Sequence, residues 1–397
     1  MSQRYQGGIL GVGFNPLQAP NAPTIGTATA GTNNCASVPF TAPANVGGSA
    51  ITGFTYRSNP DGFSGTAVGS PISVTGLSNG TSYTFGVFAL NSYGPSPISA
   101  FSNSITAVVV GTFGIFALGT TSSFTGTTTR DKYTYSGDVV SAGGAATVAS
   151  YAGSAAGTST TGIFALGAAP SASTTRNKYT YSSDTVGVGT VATVASNEGS
   201  ATGNATVGIF ALGNTGSGST TRDKYTYSGD VVSAGGAATA GSFAGAAAGN
   251  STVGIFALGQ VGGPPTTTRN KYTYSGDVVA AGGAATAVSS YGSAAGTSTV
   301  GIFALSTPCA VTTRNKYTYS GDVVSAGTAA TAGSFGGSAA GNSTVGIFAL
   351  GRNACFTALT TRNKYTYSGC VVAAGGAATV AAFYSSAAGN GTIGVNA

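Results

Sequence analysis

Two patterns of apolar and polar positions divide the chain. Between Pro20 and about Val110, short runs alternate apolar with polar residues, and turn residues separate them at intervals of about 8 to 12 positions. From Gly114 onward, the apolar phrase Gly-Ile-Phe-Ala-Leu precedes Thr-Thr-Arg-x-Lys-Tyr-Thr-Tyr, and this pair occurs six times. Alternation with period two and many Gly, Thr and β-branched residues favour strands over helices. We therefore predict an all-β protein in which a β-sandwich precedes a repeat region.

The spacing of the repeat indicates its architecture. One arginine per repeat recurs at intervals of 46, 46, 47, 45 and 48 residues. Repeats of about 40 to 50 residues with four short strands are typical of β-propeller blades. In the second repeat we predict strand b at residues 162–166, strand c at 176–181, strand d near 186–194 and strand a of the next repeat near 200–204. The repeats start at Gly114, Gly162, Gly208, Gly254, Gly301 and Gly346, and their arginines are Arg130, Arg176, Arg222, Arg269, Arg314 and Arg362.

The two ends of the repeat region complement each other. The first repeat begins at strand b without a strand a of its own, whereas the last ends with a strand a at residues 385–390 that no further repeat follows. We therefore expect the C-terminus to supply the missing inner strand and to close a six-bladed propeller over residues 111–397. Residues 392–397 resemble a seventh strand b, which has no place in such a ring. We expect that segment to cap an edge, or to pair with a second subunit or another protein.

The composition argues against catalysis. Only 6% of the residues are charged, His and Trp are absent, and Glu occurs once, at Glu198. A catalytic triad and a histidine metal centre therefore lack their residues, and the repeat disperses the acids evenly instead of pairing two carboxylates. Four cysteines follow no metal-binding spacing. We predict a protein that is not an enzyme and has no cofactor and no metal.

The net charge of +6 is largely a property of the repeat. Twelve of the fifteen Lys and Arg residues recur as Arg-x-Lys pairs, and there are no basic runs, so nucleic acid is not an expected partner. Salt bridges and cation–π contacts between repeats would explain the pairs, and a site for an acidic or sulfated glycan is the alternative. An aspartate follows strand c in five repeats and a cysteine in the sixth: Asp138, Asp184, Asp230, Asp277, Asp322 and Cys370.

We expect neither a secretion signal at the N-terminus nor a membrane-spanning segment. Residues 1–18 have neither an apolar core nor a cleavage site, which predicts synthesis in the cytoplasm and an arm that docks onto another protein. The most apolar stretch, residues 105–119, is shorter than the roughly 20 residues that span a bilayer. We expect no membrane insertion.

Sequence variation between the repeats is concentrated in two segments. The segments between strands b and c differ in every repeat, whereas Tyr-Ser-Gly-Asp-Val-Val changes little. The segments between strands d and a carry different residues at like positions, namely Tyr151, Asn197, Phe243, Tyr291, Phe335 and Phe383. Both variable segments lie at the same end of a propeller, so this end is the candidate binding surface, unless the loops vary because nothing constrains them. The same geometry would bring Cys309 and Cys355 together, within reach of a disulfide. The candidate binding residues are Phe124, Tyr151, Pro170, Asn214, Phe243, Pro264, Pro265, Tyr291, Phe335, Arg352 and Phe356.

Residues 74–96 carry a resemblance to a known family. The sequence Val-Thr-Gly-Leu-Ser-Asn-Gly-Thr-Ser-Tyr-Thr-Phe-Gly-Val-Phe-Ala-Leu-Asn-Ser-Tyr-Gly-Pro-Ser resembles the E-to-G region of a fibronectin type III domain. The resemblance covers residues 19–110 and implies that Leu77 packs beneath a loop and Tyr83 enters strand F. The core Trp of that family is missing, and Phe40 or Phe54 is the expected substitute. Such domains are usually spacers or adhesion modules.

The repeats themselves resemble kelch repeats in their apolar strand b, Tyr-bearing strand c and Gly-Ala-rich link. They depart from that family in having a single Gly after strand b and no Trp in strand d. The layout of arm, fibronectin-like domain and repeats also resembles virion proteins of marine tailed phages. That resemblance implies a virion location, with other virion proteins bound through the arm and an oligomeric assembly.

These features lead to a functional hypothesis. We expect a tail- or fibre-associated adhesin that is made in the host cytoplasm and binds a host-surface glycan or protein through the propeller loops. A structural decoration or connector protein of the virion is the alternative, and a bacterial surface adhesin is a second one.

Overall fold

The structure, a computed structural model, describes residues 17–30, 35–78, 81–107, 113–121, 125–168, 171–307, 310–354 and 356–390. The chain divides into two compact units, Met1–Val109 and Val110–Ala397. Both are built from short antiparallel strands, and within the described residues the only helical segment is a 3-10 turn at Ser275–Asp277. The all-β prediction is confirmed.

Ten short strands form the N-terminal unit. They are β1 (Thr24–Ile25), β2 (Thr29–Ala30), β3 (Ala36–Val38), β4 (Phe40–Thr41), β5 (Gly53–Asn59), β6 (Ser64–Ala67), β7 (Ile72–Val74), β8 (Ser82–Asn91), β9 (Gly94–Pro95) and β10 (Ile105–Thr106).

Two sheets of the N-terminal unit enclose one apolar core. One sheet has the strand order β10-β8-β5-β6, with β9 also paired to β8, and the other has the order β2-β3-β7. Side chains of β8 alternate about the strand, so Tyr83 and Phe85 point into the core. Phe40 and Phe54 pack there with ring centroids 4.5 Å apart, and Leu77 is buried beside them. These two phenylalanines form an aromatic pair within this core.

The C-terminal unit contains twenty-six described strands. They are β11 (Phe113–Ala117), β12 (Arg130–Thr134), β13 (Val139–Ala142), β14 (Ser154–Gly157), β15 (Thr161–Ala165), β16 (Arg176–Thr180), β17 (Thr185–Gly189), β18 (Ser200–Gly203), β19 (Val207–Ala211), β20 (Arg222–Thr226), β21 (Val231–Ala234), β22 (Ser242–Phe243), β23 (Ala246–Gly249), β24 (Val253–Ala257), β25 (Gln260–Val261), β26 (Arg269–Thr273), β27 (Val278–Ala281), β28 (Ser293–Gly296), β29 (Val300–Ala304), β30 (Arg314–Thr318), β31 (Val323–Gly327), β32 (Ser338–Gly341), β33 (Val345–Ala349), β34 (Arg362–Thr366), β35 (Val371–Gly375) and β36 (Ser386–Gly389).

Twenty-four of these strands form six antiparallel sheets, each with four strands in the order a-b-c-d. Sheets 2 to 6 are β14-β15-β16-β17, β18-β19-β20-β21, β23-β24-β26-β27, β28-β29-β30-β31 and β32-β33-β34-β35. Sheet 1 is β36-β11-β12-β13, so its strand a comes from the C-terminus. In that sheet Gly114 pairs with Gly389 and Ala117 with Ser386. The pairing that the missing first strand predicts is therefore present.

The burial of each strand follows from its composition. Strand b is buried along its centre on both faces, because neighbouring sheets cover it; Ile163 and Phe164 are both fully buried.

Strand d of sheet 2 ends at Gly189, five residues before the predicted end near 194. The following segment leaves the sheet because the Ala192 amide donates to the Thr174 carbonyl at 2.8 Å, and the Ser196 amide to Ser173 at 3.1 Å.

An arginine in strand c connects each sheet to the next. The Arg130 guanidinium of sheet 1 lies 4.6 Å from the centre of the Phe164 ring in sheet 2, and its Nη2 donates to Asn177 Oδ1 at 3.1 Å. Each later pair of sheets is joined by an equivalent Arg–Phe contact and by a hydrogen bond from the arginine to an asparagine or an aspartate. The Arg362 Nη2 of sheet 6 donates to Asp131 Oδ2 of sheet 1 at 2.8 Å, so the series returns to its start.

A second cyclic series consists of main-chain hydrogen bonds. The residue two positions before each strand a donates its amide to the carbonyl of the equivalent residue in the preceding sheet, at distances of 2.6 to 2.9 Å. We call this set the amide ring. All six residues have φ between 52° and 63°, a conformation that is rare for residues other than Gly. In cyclic order they are Ala152, Glu198, Ala244, Tyr291, Gly336 and Tyr384.

Candidate functional site

The two variable segments of each repeat meet at one end of the C-terminal unit, which we call the variable end. In the pairs below, a glycine follows shortly after strand b, and the residue after this glycine forms a β-bridge with a residue of the segment between strands d and a. Predicted site residues are members of these pairs: Tyr151 with Ala168, Asn197 with Asn214, Phe243 with Gln260, and Phe335 with Arg352. The sequence predicted only that the two variable segments lie at the same end, and the structure shows that they pair directly.

The remaining candidate residues have different surroundings. Pro264 is exposed and Pro265 is half-buried, in the turn after β25. Phe356 is 68% exposed and has a φ of 61°. Phe124, Pro170, Cys309 and Cys355 lie outside the described residues, and so does the disulfide predicted between the two cysteines.

Tyr291 does not occupy the position that the sequence comparison gave it. The sequence comparison places it level with Tyr151, Phe243 and Phe335, but the third interval of the repeat, of 47 residues, puts Ser290 at that position, where its amide donates to Thr307 Oγ1 at 2.6 Å. Tyr291 lies one residue later and belongs to the amide ring. The alignment by aromatic residue was wrong, because the aromatic side chain is shifted by one residue in this repeat.

An arginine and several aromatic rings form a cluster at the variable end. Arg352 is only 8% exposed, and its guanidinium carbon lies 4.3 Å from the ring centre of Phe335 and 4.6 Å from that of Phe356. The rings of Phe383 and Tyr384 lie 5.0 and 5.6 Å from the same carbon. Cation–π attraction holds the guanidinium among these rings. The comparison of the repeats places Phe383 in the varied segment between strands d and a but does not single out Tyr384, although Phe-Tyr at this point occurs only in the last repeat.

Large and small side chains alternate around the amide ring. Glu198, Tyr291 and Tyr384 occupy every second position, and alanine or glycine occupies the positions between them. These six residues and those that follow them line a cavity of about 40 Å³. The Tyr291 and Tyr384 ring centroids are 5.2 Å apart, and Phe335 stacks on Tyr291 at 4.9 Å. The only glutamate of the chain therefore lies at a cavity with two tyrosines.

Burial dominates the electrostatics of this cavity. It raises the pKa of the Glu198 carboxyl, and a hydrogen bond from the Tyr291 hydroxyl only partly offsets the rise. Burial also raises the pKa of Tyr291 and of Tyr384, so both phenols stay protonated. Within the described part of the chain, no Lys or Arg nitrogen lies within 4.0 Å of the Glu198 carboxylate. The cavity thus combines a partly desolvated acid with neutral hydroxyls.

The Arg-x-Lys pairs are mainly structural. All six strand-c arginines are at most 1% exposed, which excludes them from contact with an external polyanion. The lysines reach the aspartate of the next sheet, as Lys178 does with Asp230 at 2.6 Å. Lys316 instead faces Cys370, with 3.9 Å between Nζ and Sγ. Salt bridges and cation–π contacts between the sheets account for these pairs, which is the first of the two explanations that the sequence offered.

The described residues also limit the other kinds of site. They contain no cluster of three His, Cys, Asp or Glu side chains that could hold a metal ion. No helix that the structure describes is long and apolar enough to cross a membrane.

Comparisons with known proteins identify no family. No protein-family model and no curated protein matches the chain. Among solved structures, domains A168–A170 from titin are similar at 26% identity with a TM-score of 0.21, covering 23% of this chain and 32% of that chain. The twitchin kinase region from C. elegans is similar at 20% identity with a TM-score of 0.21, covering 23% of this chain and 17% of the other. The chain therefore spans a third or less of the length of these two proteins.

Proposed function

We propose that the C-terminal unit is a six-bladed, kelch-like β-propeller and that the N-terminal unit is a fibronectin type III-like spacer. The cyclic order of the arginine contacts and of the amide ring supports a closed ring of blades. The pairing of β36 with β11 supports closure by the C-terminal strand. The two sheets, with the strand orders β10-β8-β5-β6 and β2-β3-β7, support a β-sandwich, which is the architecture of fibronectin type III domains.

The function that the geometry supports best is binding without catalysis. We propose a tail- or fibre-associated adhesin of a phage virion, whose variable end binds a host-surface receptor. The observation that carries this proposal is the Arg352 cluster, which gathers aromatic and charged side chains at the end where the repeats differ. Aromatic residues and arginine are the residues that contribute most to binding energy at interfaces. The proposed virion location rests on the resemblance between the layout of this chain and that of virion proteins of marine tailed phages.

A structural role in the virion is the second candidate, and the outer strands favour it. The first residue of strand d is an exposed valine in five of the six sheets, and β17 exposes Val188 in its place. Such uncharged, unpaired edges are able to pack against other proteins. The valines at the start of strand d are Val139, Val231, Val278, Val323 and Val371. A bacterial surface adhesin would use the variable end in the same way as a phage adhesin.

Binding to host cells distinguishes these candidates. Phe356→Ala removes an exposed ring at the variable end and should weaken binding at least tenfold without changing the melting temperature. Val188→Ala, on an exposed outer strand, is the matched control and should bind like the parent. Equal binding by both variants and the parent would place the receptor site elsewhere. If the parent binds no host surface but assembles onto virion proteins, the structural role replaces the adhesin.

A further inference from the structure

The amide ring needs no side chain at its six positions. Gly336 and the two alanines make the same main-chain hydrogen bonds as the larger residues do. At a φ of 55°, a side chain such as that of Glu198 is disfavoured relative to glycine. The residues Glu198, Tyr291 and Tyr384 are therefore not required by the frame.

Glu198 differs from the aspartates of the described repeats, because its hydrogen-bond partner is the Tyr291 hydroxyl and not a cation. Its side chain is half-buried, and within the described ranges no cationic nitrogen approaches it within the distance of an ion pair. By contrast, the buried Asp223 accepts a hydrogen bond from Arg176 at 2.8 Å. Charged carboxylates away from water are normally paired, because desolvation is costly. A carboxylate next to two phenol rings provides a suitable environment for a cation, since the ring faces are electronegative.

The size of the cavity restricts that cation. A volume of about 40 Å³ exceeds the roughly 10 to 15 Å³ that one water molecule needs on the same measure, and it is far below the roughly 150 Å³ of a cavity that binds benzene. It admits an ammonium group and little more, and it excludes a quaternary ammonium or a pyranose ring. Arg352, the cation of the neighbouring cluster, contacts four rings, and one of them, Tyr384, also lines the cavity.

We propose that this cavity binds a primary ammonium group at the end of an unbranched chain, as a lysine side chain of the bound surface partner presents it. Glu198 supplies the negative charge, and Tyr291 and Tyr384 supply ring faces and neutral hydroxyls. The narrow cavity favours a lysine over an amino sugar, whose ammonium is attached directly to a ring. The inference rests on the proposed function, because it names the chemical group that the variable end recognises.

Methylammonium is the simplest probe of the isolated cavity. Titrated into the full-length protein and followed by calorimetry and thermal unfolding, it should bind saturably and raise the melting temperature. Glu198→Gln should weaken this binding at least tenfold, and tetramethylammonium, which is too large, should produce no shift. The effect should fade on acidification, because the protonated carboxyl no longer attracts a cation. Equal stabilisation of the parent and of Glu198→Gln by methylammonium would overturn the proposal.

A second variant shows whether a loss of binding comes from misfolding, and a pair of larger ligands shows which source of the ammonium group is preferred. Glu198→Ala copies the residue that the ring carries at Ala152 and Ala244, so it should fold and should also lose methylammonium binding. Nα-acetyl-lysine methylamide should bind more tightly than glucosamine, and the reverse order would overturn the choice of lysine. If host cells bind the parent and Glu198→Gln equally, the inference fails while the adhesin proposal stands. If no cells bind the parent, the adhesin proposal fails, and methylammonium still tests the cavity.

Discussion

The main-chain amide of Ala152 donates a hydrogen bond of 2.8 Å to the carbonyl oxygen of Tyr384, a residue close to the opposite end of the repeat region. Tyr384 immediately precedes the segment that leads into β36, the strand that completes sheet 1. The bond belongs to a series in which each sheet is linked to the next, and it exists only when the C-terminal segment is in place. Stability of the first sheet is therefore coupled to the last residues of the chain.

Truncation tests this coupling. A chain ending at Tyr384 lacks β36, so strand β11 loses its antiparallel partner and sheet 1 loses a buried strand. We expect its melting temperature to fall by more than about 10 °C and its unfolding to broaden. Circular dichroism and calorimetry measure both. A chain ending at Asn390 keeps β36 and is the control. Equal stability of the two truncated chains would show that β36 does not close the first sheet.

Cys370 stands where the other five repeats have an aspartate that pairs with a lysine. In sheet 5, Asp322 accepts hydrogen bonds from Lys271 at 2.9 Å and from Tyr317 at 2.8 Å, whereas the equivalent Cys370 faces Lys316 without a carboxylate. Cys370 and Asp322 have nearly the same φ, 53° and 54°, which Asp tolerates well.

Cys370→Asp should therefore stabilise the protein by about 0.5 to 1 kcal/mol, the usual value for a partly exposed pair. Urea denaturation measures the change, and high salt should reduce it. Cys370→Ala removes the thiol without adding a carboxylate, so it should produce no gain. A gain of equal size in both variants would attribute the effect to the thiol instead of the missing charge.

The partner of each buried arginine is either Asp or Asn, and the two can be exchanged. Arg176 donates to Asp223 at 2.8 Å, while Arg269 donates to Asn315 at 3.1 Å. Burial lowers the pKa of Arg269 to about 10, because its partner carries no charge. Both partners also contact a threonine, so each variant retains a natural set of hydrogen bonds.

We expect Asn315→Asp to stabilise the folded state by about 1 kcal/mol and Asp223→Asn to destabilise it by about 1 to 2 kcal/mol. The loss should be smaller than the 3 to 5 kcal/mol that is typical of a broken buried pair, because the amide still accepts from the arginine. Chemical denaturation at pH 7 gives both values. Destabilisation by Asn315→Asp would show that desolvation of the carboxylate exceeds its attraction to Arg269.

Buried tyrosines should make the protein sensitive to alkali. Burial raises the pKa of Tyr179 and of Tyr225 to about 12, from an unperturbed value near 10. The unfolded state therefore releases these protons first. The stabilisation is fully present below pH 10 and is lost as the pH rises from about 10 to 12.

The melting temperature should accordingly fall steeply above about pH 10, and phenolate absorbance should appear together with unfolding. Tyr179→Phe removes one titrating group and should make the pH dependence shallower. Ionisation of all tyrosines near pH 10 with an unchanged circular dichroism spectrum would contradict this expectation.

The repeat pattern predicted the strands of the C-terminal unit well, because each strand type has a local cause. Strand c alternates polar and aromatic residues, and it was placed within one residue of β16. Strand d was predicted too long. The amides of Ala192 and Ser196 bond to the segment before strand c and not to a neighbouring strand, and this pairing depends on the tertiary path of the chain. Tyr291 was misplaced by one residue, because interval lengths and aromatic residues disagree in that repeat.

The sequence by itself determined that the elements are strands and in which order the four strands of each repeat follow one another, since period-two alternation and the recurring arginine are local features. Only the tertiary structure decided which side chains meet. Glu198, Tyr291 and Tyr384 are separated by whole repeats, and they reach one cavity because six main-chain hydrogen bonds hold the equivalent positions in a ring. A contact of that kind depends on how the sheets pack around one another, and no short stretch of sequence encodes it.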